Sequence, residues 1–144
     1  MKALTLHPYY AGMIFSGKKS IELRTWKTDF RGDILITSNK KKYAGTIPGH
    51  ALCIAELYDI CDMSKDLCDA AGVTWAEIKP AFGLYAWKLR NIRIIEPIPV
   101  KGKLSLWNYD GEPPKIIGTL DELLKLPDDQ DHELYVKYWE KLFI

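Results

Sequence analysis

"SGKKSIELRTW", residues 16–26, decides how this chain is read. After Gly17 and two lysines, Ile21 and Leu23 alternate with Ser20, Glu22, Arg24 and Trp26. A strand sends successive side chains to opposite faces, so the spacing predicts a strand with Ile21 and Leu23 on a core face. The other face then carries a carboxylate, a guanidinium and an indole, with Lys19 just ahead of them. Such a face is either ordinary solvated surface or the wall of a site.

Working outward, "HPYYAGMIFSG" (7–17) predicts a short helix, with Pro8 tolerated at its first position and Gly17 as its stop. "KALTL" (2–6) alternates as a strand before it. After the loop "TWKTDFRG" come a third strand, "DILITS" (33–38), and a long, buried, bent one, "HALCIAELYDICDM" (50–63). "SKDLCDAAG" (64–72) and "TWAEIK" (74–79) read as short helices opened by Ser64 and Thr74, with Glu77 at capping-box spacing. "GLYAWKLRNIRIIEPIPV" (83–100) alternates and continues past Asn91, Pro97 and Pro99 marking an edge or exit. "KLSLW" (103–107) is expected to close the sheet.

The tail changes character. "GTLDELLKLP" (118–127) and "DHELYVKYWEKLF" (131–143) have helical spacing, with Leu134, Tyr138 and Leu142 on one stripe flanked by Tyr135 and Trp139. The expected fold is α+β: a small β-barrel of five or six strands with short flanking helices over residues 1–108. An acidic helical extension, residues 109–144, is expected to pack on the same domain. Closure into a barrel would remove exposed strand edges.

Composition narrows the classes. At 144 residues and 47% hydrophobic, the chain suits one domain with a real core. No apolar run approaches the ~18 residues of a membrane span. "MKALTLHPYY" lacks a signal peptide's apolar stretch, so a cytoplasmic protein that does not enter membranes is expected. Cys53, Cys61 and Cys68 form no C-x-x-C pair and are expected to be reduced. His7, His50 and His132 show no metal-type spacing, so neither a metal nor another cofactor is expected. The net charge of +1 hides an asymmetry. Residues 1–45 hold nine Lys/Arg against three Asp/Glu, whereas residues 109–144 hold four against nine. The basic segment would favour anionic ligands, phosphates above all.

The run G-x-K-x-x-E-x-R, at Gly17, Lys19, Glu22 and Arg24, resembles the signature of the ASCH domain, a family of PUA-like barrels. The resemblance continues in "RTWKTDFRGDILI" and returns in "GLYAWKLRNIRIIEPIPVKGKLSLW", so it covers residues 1 to about 108. It implies a barrel with one cleft, lined by the K-x-x-E-x-R strand and the first helix, that binds RNA or modified nucleotides. Some bacterial relatives hydrolyse acetylcytidine, and ribonuclease activity is reported for others. Where many relatives read Q-P-W or Q-P-Y this chain has His7, Pro8 and Tyr9, and so departs from the family's pattern at His7. It departs again at Thr37, Ser38 and Asn39, within Ile36–Lys40, where they read I-H-A-S-K. The acetylcytidine hydrolases carry their threonine nucleophile where this chain has Glu22.

On this basis Lys19, Glu22 and Arg24 are expected to form the site. Lys19 offers a cation, or a base if burial lowers its pKa. Arg24 can fork onto a phosphate or a base edge. Glu22, which would repel phosphate, can accept from an amino edge of a base or take a proton. Tyr9 and Trp26 are the expected stacking faces, and Tyr85, Trp87 and Trp107 are assigned to structure. Lys40 and Lys101, which match the family's lysine positions, are expected at the rim. Ser20 and Ser38 lack an evident histidine base. The favoured function is binding of RNA or a modified nucleotide at this cleft. The alternative is a hydrolase there, a modified-nucleoside amidohydrolase or ribonuclease using Lys19 and Glu22. A third reading is a scaffold that docks a protein partner through its acidic tail.

Overall fold

The computed structural model describes residues 1–78 and 83–144, and the alternating segments form its strands. These are β1 (Lys2–Leu6), β2 (Ile21–Arg24), β3 (Gly32–Ser38), β4 (His50–Asp62), β5 (Tyr85–Pro99), β6 (Leu106–Asn108) and β7 (Ile116–Thr119). Their order in one sheet is β2-β5-β4-β3-β1-β6, with β7 also paired to β5. β1 and β3 run parallel, joined through helix α1 (Pro8–Phe15) and β2. The other pairs are antiparallel.

Alternation sets the core. On β3, Ile34 and Ile36 face the main cluster with Leu4, Leu52, Leu57 and Trp87, and α1 adds Ala11 and Ile14 to it. Leu35, between them, joins Ala3, Ile54 and Ile95 on the other face. The long strand β4 is irregular as expected: its register against β5 shifts at three places. Bulges of this kind bend a strand and raise its twist.

Two expectations about the sheet need correction. Among the described residues there are seven strands, not five or six, because Gly118 and Thr119, read as the start of a helix, end a strand instead. β2 pairs only with Tyr85–Lys88 of β5, and β7 takes up Arg93–Ile95 further along the same strand. Nor does the ladder close. β6 lies at the edge beside β1, and β2 ends the other side. A side chain links two strands that are not paired: Arg24 Nη2 of β2 donates to the Thr5 carbonyl of β1 at 3.2 Å. Thr5 lies one residue beyond the β1–β6 pairing, which ends at Leu4↔Leu106.

Side-chain caps open two of the short helices. α3 (Trp75–Ile78) opens on reciprocal bonds between Thr74 and Glu77; Lys79, read as its last residue, lies outside the described residues. Ser64 caps nothing, since its hydroxyl bonds Asp66, and α2 covers Cys68–Ala71. Thr119 and Glu122 form the capping box of α4 (Leu120–Leu124). α5 (Asp128–Leu134) runs into a π-helical stretch, Tyr135–Trp139, where Glu140 N bonds Tyr135 O at 2.8 Å. Leu134, Tyr138 and Leu142 pack on the main core as their stripe predicts. The wide turn rotates Trp139 inward, so it is buried against Phe15, ring centroids 5.4 Å apart, and is no mere flank.

Candidate functional site

Across the β2–β5 ladder Glu22 stands opposite Trp87, and directly opposed side chains share a face of the sheet. Trp87 is fully buried in the main core, so Glu22 points to the interior side and is only 7% exposed. Ile21 and Leu23 pack the other way, against a small cluster with Ala71 and Ala86. The expected alternation holds and Ile21 and Leu23 face a core cluster, but the charged face is buried too, toward the main core.

A buried carboxylate needs partners, and this one has three. Leu23 N donates to Oε1 at 3.0 Å, Lys19 Nζ lies 3.5 Å from the same oxygen, and Arg24 Nη2 donates to Oε2 at 3.1 Å. Gly17, at φ +82°, ends α1 and turns the chain toward Lys19. Lys19, 3% exposed, donates to the Ala71 carbonyl at 2.7 Å and lies 5.2 Å from the Tyr10 ring centre. Burial holds its pKa below the ordinary lysine value, and the Glu22 charge opposes that shift. Glu22 therefore anchors two cations, and the three together carry net positive charge. The Arg24 Nε is buried and has no hydrogen-bond partner among the described residues.

These groups wall a cleft of about 450 Å³ that also takes in His7, Tyr10 and Glu77. At Thr5 and Arg24 it meets a second hollow of about 410 Å³, lined by Lys40, Lys101 and Lys103. Lys19, Glu22 and Arg24 are thus brought to one cleft, and Lys40 and Lys101 to a neighbouring hollow that shares Thr5 and Arg24 with it. Tyr9 is not: it lines a separate hollow with Lys18 and Phe143. Successive helical residues point about 100° apart, and it is Tyr10 that faces the cleft. Trp26 also stands off, its ring packed edge-on to Trp87 at 4.7 Å and its carbonyl accepting from Trp87 Nε1. Ser38 is engaged structurally, donating to Ile47 O at 2.7 Å and accepting from His50 N.

Sequence reasoning missed Thr5, His7, Tyr10, Glu77 and Lys103. His7 Nδ1 caps α1 by accepting from Tyr9 N at 3.0 Å. Burial, and then Lys41, hold its pKa below the ordinary imidazole value. The helical phase of α1 was the available signal for Tyr10, and the one-residue spacing from Lys101 across Gly102 for Lys103. A larger hollow, about 580 Å³, opens beside the tail around Trp139, but among the described residues no lysine or arginine lines it. Among the described residues no three His, Cys, Asp or Glu side chains gather as a metal would need, and no helix is long and apolar enough to cross a membrane.

Fold and site together define a small α+β protein with a charged cleft at the seam of an open sheet. The ASCH domain family matches residues 4–103, and the chain belongs to that family. Its structure is similar to the crystal structure of ASCH from Zymomonas mobilis, with a TM-score of 0.55 and 21% identity over 68% of this chain and 72% of that one. Two mutant forms of the Zymomonas mobilis protein are also similar. One has a TM-score of 0.54 at 22% identity over 68% and 74% of the two chains. The other has 0.52 at 17% identity over 95% of each. At these identities the likeness is one of fold. No curated protein matches the chain.

Proposed function

We propose that this protein binds single-stranded RNA, or a modified nucleotide within it, in the cleft around Lys19, Glu22 and Arg24. The reading takes the open sheet to curl as a barrel does, so that β2 and β1 face each other across the cleft. The observation that carries it is the Arg24 side chain, which lines both hollows and whose Nε, enclosed in this conformation, has no acceptor among the described residues, so a small shift of the guanidinium would let it serve a ligand. Such a group costs free energy until something accepts from it, and a base edge or a phosphate oxygen would. Glu22, though held by its cations, keeps lone pairs for the amino group of a base. Tyr10 offers an aromatic surface at the same cleft. The ASCH family's association with RNA binding agrees, and a cytoplasmic location belongs to the same proposal.

The test compares a short single-stranded RNA with duplex DNA on wild type and Arg24→Lys. Lysine keeps the charge and loses the fork, so RNA affinity should fall about tenfold, within the range of one good bidentate contact. Unchanged affinity, or a preference for duplex DNA, would overturn the reading. A second reading, hydrolysis at the same cleft, draws on the lowered pKa of Lys19 beside Glu22, which suits a general base. Turnover of acetylated cytidine or RNA that is lost in both Lys19→Ala and Glu22→Ala would favour it.

A further inference from the structure

We infer that the second hollow is a phosphate subsite, so that the ligand of this cleft is a phosphorylated nucleotide or an RNA phosphodiester and not a free nucleoside. This rests on the nucleotide-binding reading of the first hollow and assigns the half of the site that reading leaves unexplained.

Charge is the first ground. Lys40, Lys101, Lys103 and Arg24 line the hollow, and no carboxylate shares its lining. Among the described residues none of the three lysines has a carboxylate within salt-bridge distance; Arg24 alone is paired, to Glu22 on the other side. Cations gathered round one concavity repel one another unless an anion sits among them. These come from two distant segments, Lys40 after β3 and the lysines after β5, so their meeting is a product of the fold and not of one basic run. Lys41 and Lys42 belong to the same run as Lys40 but do not line the hollow.

The second ground is how the loop between β5 and β6 is held. Gly102 lies flat on β1: a Cβ there would come within 2.4 Å of the Thr5 side chain. Lys103 N donates to Thr5 Oγ1 at 3.3 Å, and Trp107 Nε1 donates to the same oxygen at 3.0 Å. Two lysines thus flank a glycine pressed against the floor of the site. Ser105 closes the loop at φ +61°, in the left-handed region a non-glycine residue seldom adopts. Backbone held in a sparsely populated region clusters at ligand sites. The third ground is continuity. Thr5 and Arg24 line both hollows, so a base seated by Glu22 and a phosphate seated by the lysines would lie on either side of one guanidinium.

Calorimetric titration with the four ribonucleosides, their 3′- and 5′-monophosphates and inorganic phosphate tests this. The preferred monophosphate should bind wild type at least tenfold more tightly than its nucleoside. In Lys101→Gln/Lys103→Gln that ratio should fall below threefold while nucleoside affinity stays within twofold. Lys18→Gln, which removes the same kind of charge away from the hollow, should leave the ratio unchanged. Nucleosides binding as tightly as monophosphates, or a ratio indifferent to Lys101 and Lys103, would overturn the subsite and leave the base-binding cleft standing. Monophosphates binding no better than inorganic phosphate, with no nucleoside binding, would uphold the subsite and overturn the cleft reading. Binding by none of them would overturn both.

Discussion

Replacing Glu22 by Gln removes one charge from the middle of a buried cluster, and the consequence for Lys19 can be worked out. Oε1 lies 3.5 Å from Lys19 Nζ. Two unit charges at that distance attract by about 5 kcal/mol at an effective dielectric constant of about 20. The loss has a ceiling, because a lysine left without its counter-charge can release its proton. Set against an ordinary lysine value of about 10.4 in the unfolded chain, release costs about 1.4 kcal/mol for each pH unit below it. The ceiling is therefore about 4.6 kcal/mol at pH 7 and about 1.9 kcal/mol at pH 9. The sign follows from burial, which already holds the folded pKa of Lys19 below its ordinary value. Between the two values the unfolded chain binds more protons, so stability rises with pH. Glu22→Gln lowers the folded value further and extends that window downward. Urea unfolding followed by tryptophan fluorescence should show Glu22→Gln less stable by about 3–4 kcal/mol at pH 7, in the range for breaking a buried pair. At pH 9 the deficit should be below about 2 kcal/mol. In a Lys19→Met background the pH dependence of the substitution should vanish. A deficit equal at pH 7 and pH 9, or under about 0.5 kcal/mol at pH 7, would refute the coupling of Glu22 to a buried charged Lys19.

Two further outcomes can be checked. Trp139→Ala removes a buried indole packed on Phe15; chemical denaturation should show a loss of about 3–5 kcal/mol in one cooperative transition. That result would support our proposal that residues 109–144 fold as part of the same domain, and a loss under about 1 kcal/mol would contradict it. His7 caps α1 through a ring nitrogen that must stay unprotonated, and its folded pKa is lowered. Wild type should therefore lose stability as pH falls below the ordinary imidazole value of about 6.5. His7→Ser should flatten melting temperature between pH 7 and pH 5, and an unchanged slope would discount the cap.

The alternation in residues 20–26 made β2 and its two faces legible, because a period of two needs no partner strand to be seen. Ile21 and Leu23 meet a core cluster as their apolar character suggests, but that the charged face is buried as well was not legible, because the register that sets Glu22 opposite Trp87 is a long-range fact that no local pattern encodes. The sequence marks Tyr9 as a stacking face, whereas rotation along α1 decides which ring meets the cleft, and it is Tyr10. Trp26 fell on the strand's polar face by parity, but it lies beyond the end of β2, where that parity lapses. Trp139 was placed on a flank by a period of 3.6, and one π-type turn shifted it into the core. Lys40 and Lys101 were visible singly; their convergence depends on β3 and β5 ending at the same side of the molecule, a matter of topology.

The seam between β2 and β1 has a consequence for how the molecule would report its own occupancy. The hydrogen bond from Arg24 to Thr5 works as a clasp across that seam. A ligand drawing on the same guanidinium would then be sensed as a change in tension on the clasp: firmer if Nε gains an acceptor and the fork is locked, looser if Nη2 is pulled away from Thr5. β6, the edge strand, pairs with β1 up to Leu4, next to that contact, and Thr5 also holds the loop after β5. Exchange of the edge-strand amides is thus a natural gauge of whether the cleft is full.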